Sequence, residues 1–98
     1  MTHLSVPKNT PKLYDTEHAR DPMVTIAFIN PPSGWKWYVT EHDPEQRLCF
    51  GLVAGFETEL GYFSLIELEG IPSIIPVQDW TPTRLSKVRE ALAQEDQS

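Results

Sequence analysis

Ninety-eight residues with a net charge of −6, nine prolines and a single cysteine suit one domain with one modest core and short, proline-punctuated elements. The eight basic residues are scattered among fourteen acidic ones, which speaks against a grip on nucleic-acid phosphates or on an anionic membrane surface, since both need clustered Lys and Arg. A lone cysteine excludes an intrachain disulfide and a multi-cysteine metal site, and with no apolar run of membrane-spanning length the composition predicts a cytoplasmic protein without a membrane span.

Residues 1–10 are polar, contain a proline and show no period, so a flexible N-terminal arm is expected there, followed by one globular domain over 11–95. Pro11-Lys12-Leu13-Tyr14 reads as a short turn before a polar stretch that runs to Pro22. A first strand is expected over 23–29, ended by the turn residues Asn30-Pro31-Pro32-Ser33-Gly34. A second covers 35–42, with Trp35, Trp37, Val39 and Glu41 on one face and Lys36, Tyr38, Thr40 and His42 on the other. Asp43-Pro44-Glu45-Gln46 is a turn, because Asp favours the first turn position and Pro the second.

The third strand is expected over 47–56. Its glycines, Gly51 and Gly55, either leave gaps for neighbouring aromatic rings or mark a bulge. Phe56 to Glu59 connects to a short fourth strand at 60–63. Ser64-Leu65-Ile66-Glu67 has the form of a capping box and predicts a short helix over 65–69, ended by Gly70. Residues 71–80 are apolar and broken by prolines, hence an extended cover over the sheet. Thr81 as cap and Pro82 as first helical residue predict a C-terminal helix over 82–94, with Leu85, Val88, Ala91 and Leu92 on one face. The fold class is therefore α+β: a small curled antiparallel meander of about four strands followed by two helices.

The segment from Trp35 to Leu68 concentrates aromatic residues and carboxylates against only Lys36 and Arg47. Burying so many unpaired acids costs too much, so part of it must face solvent or a partner. Glu41-His42-Asp43 with Glu45 suggests a metal or acid–base site. Neighbours on a strand point to opposite faces, however, and Asp43 is better explained as a turn residue, so no metal site and no cofactor are expected. Glu41 beside the tryptophans has two readings: an acid or base at the rim of an aromatic patch, with Thr40 or Tyr62 near it, or an acceptor of hydrogen bonds from a nearby loop. Gly61 reads as room for Trp37 or Tyr38 across the sheet. Cys49 in an apolar strand is a small hydrophobe, Ser64 is a cap, and His3 and His18 lack ligand partners at fixed spacing, so no catalytic residue is assigned.

The strings Trp35-Lys36-Trp37-Tyr38-Val39-Thr40-Glu41, Phe50-Gly51-Leu52-Val53-Ala54-Gly55 and Glu59-Leu60-Gly61-Tyr62-Phe63-Ser64-Leu65, with Pro11 to Tyr14 upstream and Leu85-Ser86 downstream, resemble the family catalogued as domain of unknown function 2958. The likeness runs over most of residues 11–88. It implies no activity; relatives often encoded on plasmids, integrative elements and phages imply a host-interaction role. Together these readings favour a non-catalytic module that binds a protein, and a basic one, through Trp35, Trp37, Tyr38, Glu41, Glu57, Glu59 and Tyr62. The alternative is a small enzyme or ligand binder using Glu41 with Thr40 or Tyr62. Direct nucleic-acid binding by aromatic stacking is disfavoured by the charge.

Overall fold

The computed structural model describes residues 3–96. Its main sheet has five antiparallel strands. In chain order they are β2 (Ile26–Asn30), β3 (Trp35–Asp43), β4 (Leu48–Ala54), β5 (Thr58–Ser64) and β6 (Ile75–Pro76), arranged β5-β4-β3-β2-β6. A two-stranded ribbon joins β1 (Met23–Val24) to β7 (Thr83–Arg84). Helix α1 spans Leu65–Glu69 and α2 spans Leu85–Asp96. The α+β class and the antiparallel meander agree with the sequence reading; the strand number does not. The expected first strand breaks at Thr25, whose N–H bonds to the Val39 carbonyl at 2.9 Å, and β6 adds a fifth strand from the segment expected only to cover the sheet.

Alternation along the strands sorts apolar side chains onto two faces, each with its own core. One face gathers Phe28, Trp37, Val39, Cys49 and Phe63 under Leu4, Ile74 and the buried Leu65 and Leu68 of α1. The other gathers Ala27, Tyr38 and Leu52 under Leu85 and Val88 of α2. The proline-broken 71–80 segment rounds the β6 edge of the sheet between them. Ile74 packs on the first face, while Trp80 packs on the second and donates its indole N–H to the Val24 carbonyl at 3.1 Å.

Three local expectations hold for the reasons given. Ser64 caps α1, its hydroxyl accepting from the Glu67 N–H at 3.3 Å. Asp43 Oδ1 accepts from the Glu45 N–H at 3.0 Å within the β3–β4 turn, and Arg47 closes that turn at φ 53°. Gly55 lies under the Trp35 ring, where a Cβ would stand 2.6 Å from ring carbons.

Two others fail. Of the arm expected at 1–10, residues 1 and 2 lie outside the described residues, and the rest is tied to the domain from Leu4 onward. Leu4 is 1% exposed, its N–H donates to Glu69 Oε2 at 2.8 Å, and Arg47 Nη2 donates both to the Leu4 carbonyl and to Glu69. One apolar side chain fitting the open end of the first core outweighs the polar composition around it. Helix α2 begins at Leu85, not Pro82, because Thr83 and Arg84 are drawn into the ribbon with β1. Its cap comes from far away in sequence: Asp21 accepts from the Ser86 N–H at 2.8 Å and from the Ser86 hydroxyl at 2.7 Å. Those two bonds hold the Asp21 carboxyl below its ordinary range, as expected of an acid at a helix N-terminus.

The β3–β4 pairing shifts register between Val39 and Glu41, leaving Thr40 as the extra residue of a β-bulge. Gly51 is what permits it, because a Cβ there would sit 1.8 Å from the Tyr38 carbonyl oxygen, which is backbone and cannot yield. Gly61, expected to make room for Trp37 or Tyr38, has no atom within 4 Å of the corresponding position. Gly51→Ala is therefore expected to lower the unfolding free energy by about 3 kcal/mol or more, whereas Gly61→Ala should be neutral or stabilising by up to about 1 kcal/mol. Urea unfolding of the two variants beside the parent checks this pair.

Candidate functional site

The bulge decides where Glu41 points. Simple alternation places it with Trp35, Trp37 and Val39, but the extra residue at Thr40 moves it to the opposite face, paired with Phe50 on the side of α2. His42 is exchanged the other way and pairs with Cys49, over the first core. Glu41 is 3% exposed yet fully provided for: Oε1 accepts from the Tyr14 N–H at 2.8 Å, and Oε2 accepts from the Thr16 N–H at 2.8 Å and from the Thr16 hydroxyl. Both oxygens of the carboxyl group thus serve donors that themselves need a partner. They also pin residues 13–18, a run of turns, to the sheet.

Above this carboxylate opens a cavity of about 470 Å³, between the 14–22 segment, β5 and the start of α2. Thr40, Glu41 and Tyr62 all line it, as do Phe50 and Leu85. The Tyr62 ring meets Phe50 edge-on at 4.9 Å between centroids. A hydrogen bond with the Tyr14 hydroxyl raises the Tyr62 pKa, with smaller contributions from burial and from the charges of Glu41 and Glu17. Tyr14 is held at φ 73°, a left-handed backbone that a bulky residue adopts only when its surroundings impose it. Here the imposing contact is the Glu41 bond to its N–H.

A second concavity, of about 350 Å³, lies on the opposite face at the β4–β5 turn and is lined by Trp35, Val53, Gly55, Phe56, Glu57 and Glu59. Phe56 is 96% exposed and stands edge-to-face on Trp35, with centroids 5.3 Å apart and planes at 83°. Glu57 and Glu59 make no ion pair among the described residues.

The seven expected interaction residues therefore separate. Trp37 and Tyr38 are core residues, each about as buried as the aliphatic side chains around it, and burial pushes the Tyr38 phenol up to about 12. Glu41 ties down a loop. Trp35, Glu57 and Glu59 share the second concavity, while Tyr62 stands apart at the mouth of the first. The acidic residues form no single patch: Glu45 and Glu57 lie at opposite ends of β4, and Glu69 is bound to Arg47 at 2.8 Å. Sequence reasoning missed Phe56, whose only signal was an aromatic in a turn beside two acids. It also missed Tyr14 and Thr16, whose part depends on a contact with residue 41 that no local pattern encodes.

The remaining reactive groups are quiet. Burial pushes the Cys49 thiol up to about 12 despite nearby Arg47, leaving it no thiolate character at neutral pH. Among the described residues no group of three His, Cys, Asp or Glu side chains gathers as a metal-ligand set. No helix among the described residues is long and apolar enough to cross a membrane.

Comparison with known proteins gives one result. The model of a family described as "Protein of unknown function (DUF2958)" matches residues 5–78, which includes most of the expected N-terminal arm and stops short of α2. No curated protein and no solved structure matches the chain.

Glu41→Ala removes the acceptor for the part-buried backbone N–H bonds of Tyr14 and Thr16, and is expected to destabilise the fold by about 2–4 kcal/mol and to speed amide exchange at those two residues selectively. Hydrogen exchange beside urea unfolding checks both parts. Burial, and then the charge of Arg47, lowers the His42 pKa from its ordinary 6.5, with Asp43 opposing. The unfolded chain then takes up this proton more readily than the folded one. The stability contribution is complete above about pH 6.5 and is lost as pH falls below it. Urea midpoints at about pH 7.5 and 5.5 should differ in that sense, and His42→Gln should flatten the difference.

Proposed function

We propose that this chain, which belongs to the DUF2958 family of proteins of unknown function, is a non-catalytic protein-binding module that takes a cationic side chain of a basic partner against Trp35 and Phe56. The observation that carries the reading is Phe56, an aromatic ring left 96% exposed but oriented on Trp35, with Glu57 and Glu59 beside it. An exposed ring of this kind gains by burial on association. Aromatic faces attract an ammonium or guanidinium group, and two carboxylates with no ion pair among the described residues complement the same charge. The chain's net charge of −6 draws basic partners from a distance.

The groups most suited to proton transfer or nucleophilic attack are otherwise occupied, which supports a binding role. Both oxygens of Glu41 hold the 13–18 turns, and the Cys49 thiol is suppressed by burial. On this reading, the resemblance to proteins carried by plasmids, integrative elements and phages fits a module that occupies a host protein's basic surface.

Titration of the isotope-labelled protein with a short arginine-rich peptide tests the site. Saturable shifts at Gly55–Glu59, quenching of Trp35, and loss of about tenfold or more in affinity on Phe56→Ala or on Glu57→Gln with Glu59→Gln are expected. A glutamate-rich peptide should leave these signals unmoved. Equal affinity for the parent and Phe56→Ala overturns the proposal. Because Phe56 is almost wholly exposed, its substitution should change stability by only about 0.5 kcal/mol.

A further inference from the structure

The four arginines divide equally between two with structural bonds and two without. Arg47 bonds Glu69 and the Leu4 carbonyl, and Arg84 bonds the Asp21 carbonyl at 3.1 Å. Arg20 and Arg89 make no hydrogen bond or ion pair among the described residues, and both line the cavity over Glu41. They reach it from different elements, Arg20 from the segment before β1 and Arg89 from the second turn of α2.

The rest of that cavity is a built site. Phe50, Leu60 and Leu85 give it an apolar floor. The side chains of Tyr14 and Tyr62 both line it, and Tyr14 is fixed in place by the Glu41 bond to its N–H. A volume of about 470 Å³ falls in the usual range for small-molecule sites, which combine an apolar lining with a few placed polar groups.

We infer that this cavity binds a small organic monocarboxylate, its apolar body on Phe50, Leu60 and Leu85 and its carboxylate held by Arg20 and Arg89. Guanidinium groups pair with carboxylates in charge-assisted, often bidentate geometry, and the tyrosine hydroxyls add donors. The two guanidinium groups are lining charges with no internal partner among the described residues, which disfavours an amine. The acids Glu17 and Glu41, lining the same cavity, favour a singly charged anion over a doubly charged phosphate monoester. The site is independent of the Trp35–Phe56 surface, which lies on the other face of the sheet.

Calorimetry and amide-shift titration of the whole chain with 3-phenylpropionate, phenyl phosphate and 2-phenylethylamine test the inference. Saturable binding of 3-phenylpropionate is expected, with shifts at Thr16, Glu41, Phe50 and Tyr62. Arg20→Gln and Arg89→Gln should each weaken it about tenfold, while Lys87→Gln, on the exposed side of α2, should leave it unchanged. All three replaced residues are exposed, so the spectrum of each variant should keep the dispersion of the parent. Absence of saturation, equal or tighter binding of the amine or of phenyl phosphate, or affinity untouched by both arginine variants overturns the inference.

Discussion

One surplus residue in β3 governs the half of the molecule that carries the first cavity. Thr40 has no partner of its own in β4, and the backbone accommodates it only because Gly51 lets the Tyr38 carbonyl approach where any side chain would collide. The resulting change of parity sends Glu41 towards α2 and His42 towards the opposite core. From there the dependence is serial. The Glu41 carboxylate satisfies the N–H groups of Tyr14 and Thr16, the 13–18 turns settle against the sheet, and the concavity acquires a wall. A carboxyl group buried without donors is unfavourable, and a peptide N–H shielded from water without an acceptor is too; here each is the remedy for the other. The Thr40 hydroxyl adds a bond to the Phe50 carbonyl at 3.0 Å, closing the irregular stretch of ladder.

Much of the fold was legible in the chain because its signals are local. Alternation in Trp35 to Val39, the Asp43-Pro44 turn and the Ser64 to Glu67 cap each depend on neighbours a few residues away, and each is found where expected. The parts that were not legible depend on distant contacts. The ribbon partner of Met23 is Arg84, the cap of α2 is Asp21, and the residues bonded to Glu41 are Tyr14 and Thr16. The bulge is intermediate. Gly51 signalled it, but a glycine in a strand does not say which residue opposite becomes the extra one, and that choice alone decides which face receives Glu41. The burial of Leu4 was hidden for another reason: a single apolar residue in a polar run has no periodicity to betray it.

The residues expected to act as one interaction set are spread over the sheet. Aromatic and acidic residues do meet, but at the β4–β5 turn and not along β3, where the tryptophans alternate between partial and full burial. Trp35 keeps an accessible ring because Gly55 beneath it has no side chain and Phe56 turns outward over it; Trp37, two residues on, is sealed under α1 and the N-terminal segment. Exposure at this end of the sheet thus follows from the turn, while the acids there remain uncompensated by any lysine or arginine within the described residues.

Strand β5 borders both concavities, and it does so by parity. Glu59 projects to the side of Trp35 and Val53, whereas Leu60 and Tyr62 project to the side of Leu52 and Phe50. The two sites are therefore interleaved in sequence yet separated by the thickness of a sheet. Their evolutionary freedom is correspondingly unequal. Side chains of one parity can diversify without disturbing the other surface. A single inserted or deleted residue between Thr58 and Tyr62, by contrast, would swap the two sets and erase both surfaces at once. Relatives that keep either surface should thus vary in the letters of this strand but never in its length.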